Sequence, residues 1–294
     1  MTSPYVRRQR LAAELRRLRE ARDMTTADVA AAIGKSRMVI GRLENAQARP
    51  NTADVMKILN TLRVEGEEWK HLVIISAEAA ERGWWHSDAD AMGARQSLYA
   101  DLEYGAVTIQ ELAHTFVPGL LQTREYAQAR HTANSALGPV SYVSDRAVDA
   151  RQNRQRMLDR PNGPTYEVVL DELAVRRWTV PPAVLRTQLE HLVSVVAQTP
   201  KISVRVLPIA ARIADYAAAG TSFSRYTFSD GDPVVVAVDT AASDLILTDL
   251  AEPDQVARYT QLYDRLAAAA LAPEDSITLL TEAAAALPTH DQGS

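Results

Sequence analysis

Apolar residues over the first eighty positions fall three and four apart, the spacing of a single helix face. Further along they alternate or gather in short β-branched runs, the habit of strands. Leu11, Leu15 and Leu18 form one stripe on a helix expected from about Arg7 to Arg22. Val29 and Ile33 share a face of a second helix. Thr25 can cap it, with Asp28 three residues on in an aspartate form of the capping box. Ala30 is small enough to let another helix cross closely, and Gly34 offers the left-handed conformation that ends a helix. Ser36 recaps the chain, and Ile40 and Leu43 give the third helix its inward face. Asn51 with Asp54 repeats the capping logic before a stripe of Val55, Leu59 and Leu62, and a fifth helix is expected over Glu65–Glu81.

The periodicity breaks over Arg82–Gly93, read as a linker in which Trp84-Trp85 should pack rather than remain in water. Beyond it, strands are expected at Val107–Leu112, Tyr166–Leu170, Ile202–Leu207, Phe223–Phe228, Val234–Asp239 and Leu245–Thr248. Ser229-Asp230-Gly231-Asp232 is a hairpin turn between two of them. Helices are expected at Arg124–Ala136, Asp145–Arg160, Pro182–Gln198, Pro253–Leu271 and Pro273–Leu287, three of them opening on proline. The fold expected is therefore an all-α, five-helix N-terminal helix-turn-helix domain over 1–81 and a linker over 82–93. An α+β domain with a mainly antiparallel sheet follows over 94–288, and 289–294 is a flexible tail.

The length of 294 residues suits about two domains, and 47% hydrophobic with 23% charged residues is ordinary for a protein with a full core. Charge is unevenly placed. Residues 1–63 hold 13 Lys+Arg against 6 Asp+Glu, and the rest hold 19 against 31, a net of −12. A basic first fifth on an acidic body suits a chain that meets phosphate only through its N-terminal part. The lack of cysteine excludes disulfides, thiolate zinc sites and cysteine nucleophiles. The arginine-rich start has no apolar signal-peptide core, and the longest apolar runs are too short to span a bilayer. A soluble, cytoplasmic protein without membrane contact is expected.

Arg37, Met38, Gly41, Arg42 and Asn45 are left on the outward face of the third helix, the geometry in which a recognition helix reaches base edges in the major groove. Residues 7–63 resemble the DNA-binding domain of the Xre, or Cro and phage repressor, family. The likeness rests on Leu15-Arg16-Arg17-Leu18-Arg19-Glu20, Ala30 with Gly34, Ser36-Arg37, Arg42-Leu43-Glu44-Asn45 and Arg49-Pro50. It implies that Arg37 and Met38 read bases. Thr26 falls where many relatives have Gln and keeps a hydroxyl for a phosphate. The expected DNA-contacting set is Thr26, Ser36, Arg37, Met38, Gly41, Arg42, Asn45 and Arg49, with Arg8 beside Arg49 as a phosphate contact.

Residues 83–286 resemble the C-terminal domain of unknown function in actinobacterial WhiJ-like regulators. The most specific match is Val117-Pro118-Gly119-Leu120-Leu121-Gln122-Thr123, followed by Gln128-Ala129-Arg130, Arg151–Arg156, Val169-Leu170-Asp171-Glu172, Gln188–Leu192, Val206-Leu207-Pro208 and Tyr263–Leu266. Val236–Asp239 departs from it. The resemblance implies a small partner protein encoded nearby.

Among candidate chemistry, the sequence holds no G-x-S-x-G, P-loop or G-x-G-x-x-G, and its six histidines lack the spacing of a helical zinc site. His86-Ser87-Asp88-Ala89-Asp90 is the one metal-like string and reads better as an exposed polar linker. Asp171-Glu172, as neighbours on a strand, would face opposite sides, so a structural pair is expected. Val117, Leu120 and Leu121 around a Pro-Gly turn are either core or pressed against another chain. The arginines crowding Arg146–Arg160, Arg151 and Arg154 among them, form a solvated face, an anion- or partner-binding face, or a further DNA contact. The function expected is a non-enzymatic, sequence-specific transcription regulator without catalytic residue, cofactor or metal. It would bind a pseudo-palindromic double-stranded site as a homodimer through a C-terminal domain that also takes a partner protein or effector. The alternative is an antitoxin-like interaction protein that captures a small partner and autoregulates its own operon.

Overall fold

The computed structural model describes residues 2–87, 89–136, 144–240 and 244–288; the expected tail at 289–294 lies outside the described residues. The chain divides into two units. The first takes in Met1–Ser87, Leu98–Ala106 and Phe228–Pro233, and the second Asp88–Ser97, Val107–Thr227 and Val234–Ser294.

In the first unit, α1 (Pro4–Glu20) starts ahead of the stripe that announced it, because Ser3 accepts a hydrogen bond from the Val6 amide and Pro4 occupies the first turn. Asp101 in turn accepts from the Ser3 hydroxyl at 2.6 Å and from the Tyr5 amide at 3.0 Å. Then follow α2 (Thr26–Ile33), α3 (Arg37–Glu44), α4 (Thr52–Thr61) and α5 (Gly66–Ala79). Leu11, Leu15, Val29, Ile40, Val55, Leu59 and Ile75 meet in one buried cluster, so every stripe read from the sequence faces the same core. Asn51 caps α4 by accepting from Ala53 and Asp54.

The segment expected to be a linker is largely ordered into structure. Trp84–His86 forms a 3₁₀ turn, Trp85 is buried with its ring 5.0 Å from that of Tyr104, and α6 (Ala89–Gly105) begins inside the expected linker. Gly93, at φ 74° and ψ 160°, interrupts α6 with a conformation that favours glycine. That break and a short supply of apolar positions hid the helix from a periodicity argument.

The second unit is built on a six-stranded sheet in the order β3-β2-β1-β4-β5-β6. Its strands are β1 (Thr108–Ala113), β2 (Thr165–Asp171), β3 (Ile202–Leu207), β4 (Phe223–Thr227), β5 (Val235–Val238) and β6 (Leu245–Thr248). β1 pairs parallel with β2, and β2 with β3; the pairings β1–β4, β4–β5 and β5–β6 are antiparallel, so the sheet is mixed and mostly antiparallel. β5 is buried along its whole length, as an unbroken apolar run requires. Around the sheet run α7 (Arg124–Ser135), α8 (Ser144–Gln155), α9 (Glu172–Arg176), α10 (Pro182–Gln198), α11 (Pro253–Ala269) and α12 (Pro273–Ala286). Leu112, Val169, Phe223, Val236, Tyr263 and Leu266 belong to its core.

Asp171 and Glu172 are not strand neighbours on opposite faces. Asp171 closes β2 and caps α9 by accepting from the Leu173 amide, while Glu172 opens α9 and accepts from the Ile209 amide and Arg176. The expected structural pair holds, through a cap rather than through strand alternation.

Candidate nucleic-acid interface

The helix-turn-helix is assembled by local stereochemistry. Thr25 Oγ1 accepts from the Asp28 amide at 3.2 Å and the Asp28 carboxylate accepts from the Thr25 amide at 2.8 Å, closing the capping box. The Thr25 hydroxyl also donates to the Asp28 carboxylate at 2.6 Å, and this bond, with that from the Thr25 amide, holds the Asp28 carboxyl below its ordinary range. Gly34 ends α2 at φ 69° and ψ 37°, and Lys35 beside it reaches Asp54 at 2.8 Å. Ser36 has the extended backbone of an N-cap, but its side chain makes no capping bond. Among the described residues the Ser36 hydroxyl and the Arg37 and Met38 amides are therefore left for an anion, while the Val39 amide donates to the Ser36 carbonyl at 3.0 Å.

Ile40, Leu43 and Glu44 are the buried residues of α3. Glu44 is fixed by Arg19, whose Nε and Nη2 donate to the two carboxylate oxygens at 2.8 and 2.9 Å. Arg19 also donates through Nη1 to the Met24 carbonyl, and its guanidinium is held above its ordinary value, chiefly by the Glu44 hydrogen bonds. Arg16 donates to the Glu44 carbonyl at 2.8 Å and to Asn45 Oδ1 at 2.5 Å, and Asn45 Nδ2 donates to the Gly41 carbonyl. Two arginines of α1 thus clamp the C-terminal end of α3.

The basic residues of the first unit separate into two classes. Arg7 is 3% exposed and meets Glu78, Asp230 and Asp232. Arg10 joins it on Asp232, whose carboxyl is raised by burial against the pull of both arginines. Arg8 lies within 3.9 Å of Asp101 and donates to the Ala79 carbonyl. Burial holds Arg8 below its ordinary value, Arg49 adding a smaller push in the same direction. Arg8 is therefore not turned to phosphate as expected, because its guanidinium points inward to the Ala79 carbonyl beside the buried Asp101. By contrast, Arg37 and Arg49 are exposed and have no ion pair among the described residues, and Arg42 makes only a 3.5 Å contact with the Gln47 carbonyl.

Of the expected DNA-contacting residues, Arg37, Met38, Arg42 and Asn45 share the exposed side of α3, with Met38 70% exposed. Gly41 lies between them half-buried, and a Cβ built on it meets nothing within 4 Å. Thr26 starts α2, and Ser36 precedes α3; Arg49 follows in the loop to α4. Val39, exposed on α3, was not singled out from the sequence. Its position between the stripe of Ile40 and that of Met38 gives no spacing signal.

In the second unit Val117, Leu120 and Leu121 are buried, so these side chains serve their own core and offer no face to another chain. Arg151 and Arg154 do not form a solvated face: Arg154 is buried near Gln96, and Arg151 donates to Gln122 at the edge of a cavity. No group of three or more His, Cys, Asp or Glu is arranged to hold a metal ion among the described residues, which do not include Asp88 of the His86–Asp90 string. No helix among them is long and apolar enough to cross a membrane.

Residues 10–72 match a family model described as a helix-turn-helix domain, and residues 96–282 match one described as a domain of unknown function, DUF5753. Among curated proteins and solved structures nothing matches the chain.

Proposed function

Since the chain belongs to the DUF5753 family and carries a helix-turn-helix domain, we propose that it is a sequence-specific transcription regulator of the Xre, or Cro and phage repressor, type. The observation that carries this reading is the division among its arginines. On α1, Arg7 and Arg10 meet the buried Asp232, and Arg19 and Arg16 clamp the end of α3, whereas Arg37, Arg42 and Arg49 are left exposed around the recognition helix. Arg37 is the base reader, its guanidinium able to fork onto a guanine edge. Met38 makes apolar base contact, Ser36 and Thr26 donate to phosphates, and Arg49 contributes charge to the backbone. The protein acts in the cytoplasm, without a catalytic step, as a homodimer on a pseudo-palindromic site, because two weak half-sites held at fixed spacing multiply affinity.

The reading is tested by selecting genomic fragments on the full chain and measuring anisotropy on the selected and on random DNA. Arg37→Ala is expected to cost roughly 1–3 kcal/mol on the selected site and to relax specificity at one base pair. Equal loss on both DNAs would remove Arg37 as a base reader.

A second reading, an antitoxin-like protein that captures a small partner and autoregulates its operon, draws on Trp178, Ile209 and Tyr216 of the second unit. These are large apolar side chains left in solvent. Co-purification of a small protein at fixed stoichiometry, lost in Trp178→Ala, favours it.

A further inference from the structure

The second unit contains a cavity of about 990 Å³, the upper end of the range for small-molecule sites. Its wall is drawn from the first turns of α6, the segment after β1, α7, α8 and the loops flanking β4 and β5. The charge on that wall opposes the charge of the chain around it. Among the described lining residues Arg95, Arg130, Arg151, His114 and His131 stand with one carboxylate, Asp239, although the residues after 63 carry a net of −12. Arg95 is paired with Asp239 at 3.5 Å and with Asp244 at 2.6 Å, which leaves Arg130, Arg151 and His114 as the groups turned to an anion.

The cations are held in place from behind. Arg130 donates to the Thr179 carbonyl at 3.0 Å and to Asn134 at 3.1 Å, and its guanidinium lies 4.0 Å from the Phe116 ring centroid. Arg151 donates to Gln122, a buried amide anchored on the Val117 carbonyl. His114 points Nδ1 at Asp171, 3.2 Å away, and Nε2 at the Ala219 carbonyl, 2.8 Å away. Both partners are acceptors, so both ring nitrogens must carry hydrogen for both bonds to form, which favours the cation. The Asp171 hydrogen bond, opposed by burial and helped by the Ala219 carbonyl, holds this imidazole above its ordinary value. Phe116, 41% exposed, presents an aromatic face beside these charges.

We propose that this cavity is the binding site for a small organic anion carrying a flat ring, its carboxylate or phosphate meeting Arg151 and Arg130 and its ring packing on Phe116. Guanidinium forks suit both anions, and a fixed ring face selects against bare ions. The site gives the second unit an effector of stated chemistry and so deepens the regulator reading, but its occupancy is independent of DNA.

Titration calorimetry on the full chain without DNA tests it. The probes are adenosine 5′-monophosphate and indole-3-carboxylate, with adenosine and indole as uncharged rings and inorganic phosphate and acetate as bare ions. At least one ring-bearing anion is expected to bind one site per chain, and loss of its ring or its charge should weaken binding about tenfold or more. The stronger of the two identifies the anion as phosphate or carboxylate. Arg151→Gln and Phe116→Ala should each weaken it about tenfold, with the full chain of each variant still melting cooperatively, which separates loss of the site from loss of the fold. Three results would each overturn the proposal: no heat from either ring-bearing anion, binding untouched by both variants, or inorganic phosphate binding as tightly as the nucleotide. Anion binding without DNA binding removes the regulator reading alone, and the reverse removes this site alone.

Discussion

Replacing Glu44 with alanine should destabilise the helix-turn-helix far more than an exposed ion pair allows. The side chains of Arg19 and Glu44 are 12% and 6% exposed, and alanine removes both carboxylate acceptors at 2.8 and 2.9 Å. Breaking a buried pair by deleting one partner costs about 3–5 kcal/mol, because the other charge is stranded, whereas exposed pairs are worth less than about 1 kcal/mol. Arg19 keeps the Met24 carbonyl and a 3.4 Å contact with Glu20, which places the expected cost near the lower limit, about 3 kcal/mol. Hydrogen exchange across α1–α3 should read this as a fall of that size in opening free energy. The double variant Arg19→Met/Glu44→Leu, which removes both charges and keeps apolar volume, should return to within about 1 kcal/mol of the parent. A loss below about 0.5 kcal/mol for Glu44→Ala, or a double variant no more stable than the single one, would refute the assignment of this pair as a buried clamp.

Gly41→Ala should raise stability by about 1 kcal/mol, since the added Cβ meets open space, yet weaken cognate binding if the α3 backbone approaches DNA; unchanged affinity would sink that role. Arg49→Ala should lower affinity for all sequences and reduce the salt slope by about 1, whereas Arg8→Ala should lower the melting temperature first; equal slopes for the two would overturn their separation. The raised value of His114 means that its contribution to stability is complete below its unfolded value and is lost as pH rises through the folded one. Asp171, raised by burial but lowered further by His114 and the Leu173 amide, contributes above its unfolded value and loses that as pH falls through the folded one. The melting-temperature gap between parent and His114→Gln should therefore shrink toward alkaline pH and again toward strong acid, and a gap constant from pH 3 to pH 9 would contradict the pairing. The full chain should sediment as a dimer at micromolar concentration with or without DNA; a monomer under both conditions would remove the homodimer.

The strands were legible because alternation and β-branching act within a few residues. Each of β1–β6 lies within about a residue of its expected span, and α10 opens on Pro182 as its sequence dictates. The capping box at Thr25 and the left-handed Gly34 were legible for the same reason, as were the outward positions of Arg37, Met38 and Arg42. The five-residue α9 and the interrupted α6 were not, since neither repeats an apolar face often enough to register. Ser36 shows the limit even of local reading, with the backbone of a cap and no capping bond.

By itself the sequence determined the helices of the helix-turn-helix, the strands and the face that α3 turns outward, because these follow from sterics and periodicity within one or two turns. Only the tertiary structure decided which strands pair in parallel, and what each arginine does. Arg7, Arg8, Arg37 and Arg151 are chemically identical in sequence, yet Arg7 meets Asp230 across 223 positions, Arg37 is exposed with no ion pair among the described residues, and Arg151 lines a cavity. A guanidinium takes the role of whatever carboxylate, carbonyl or open space the fold brings within about 4 Å, and that neighbour is fixed by distant segments rather than by the residues beside it.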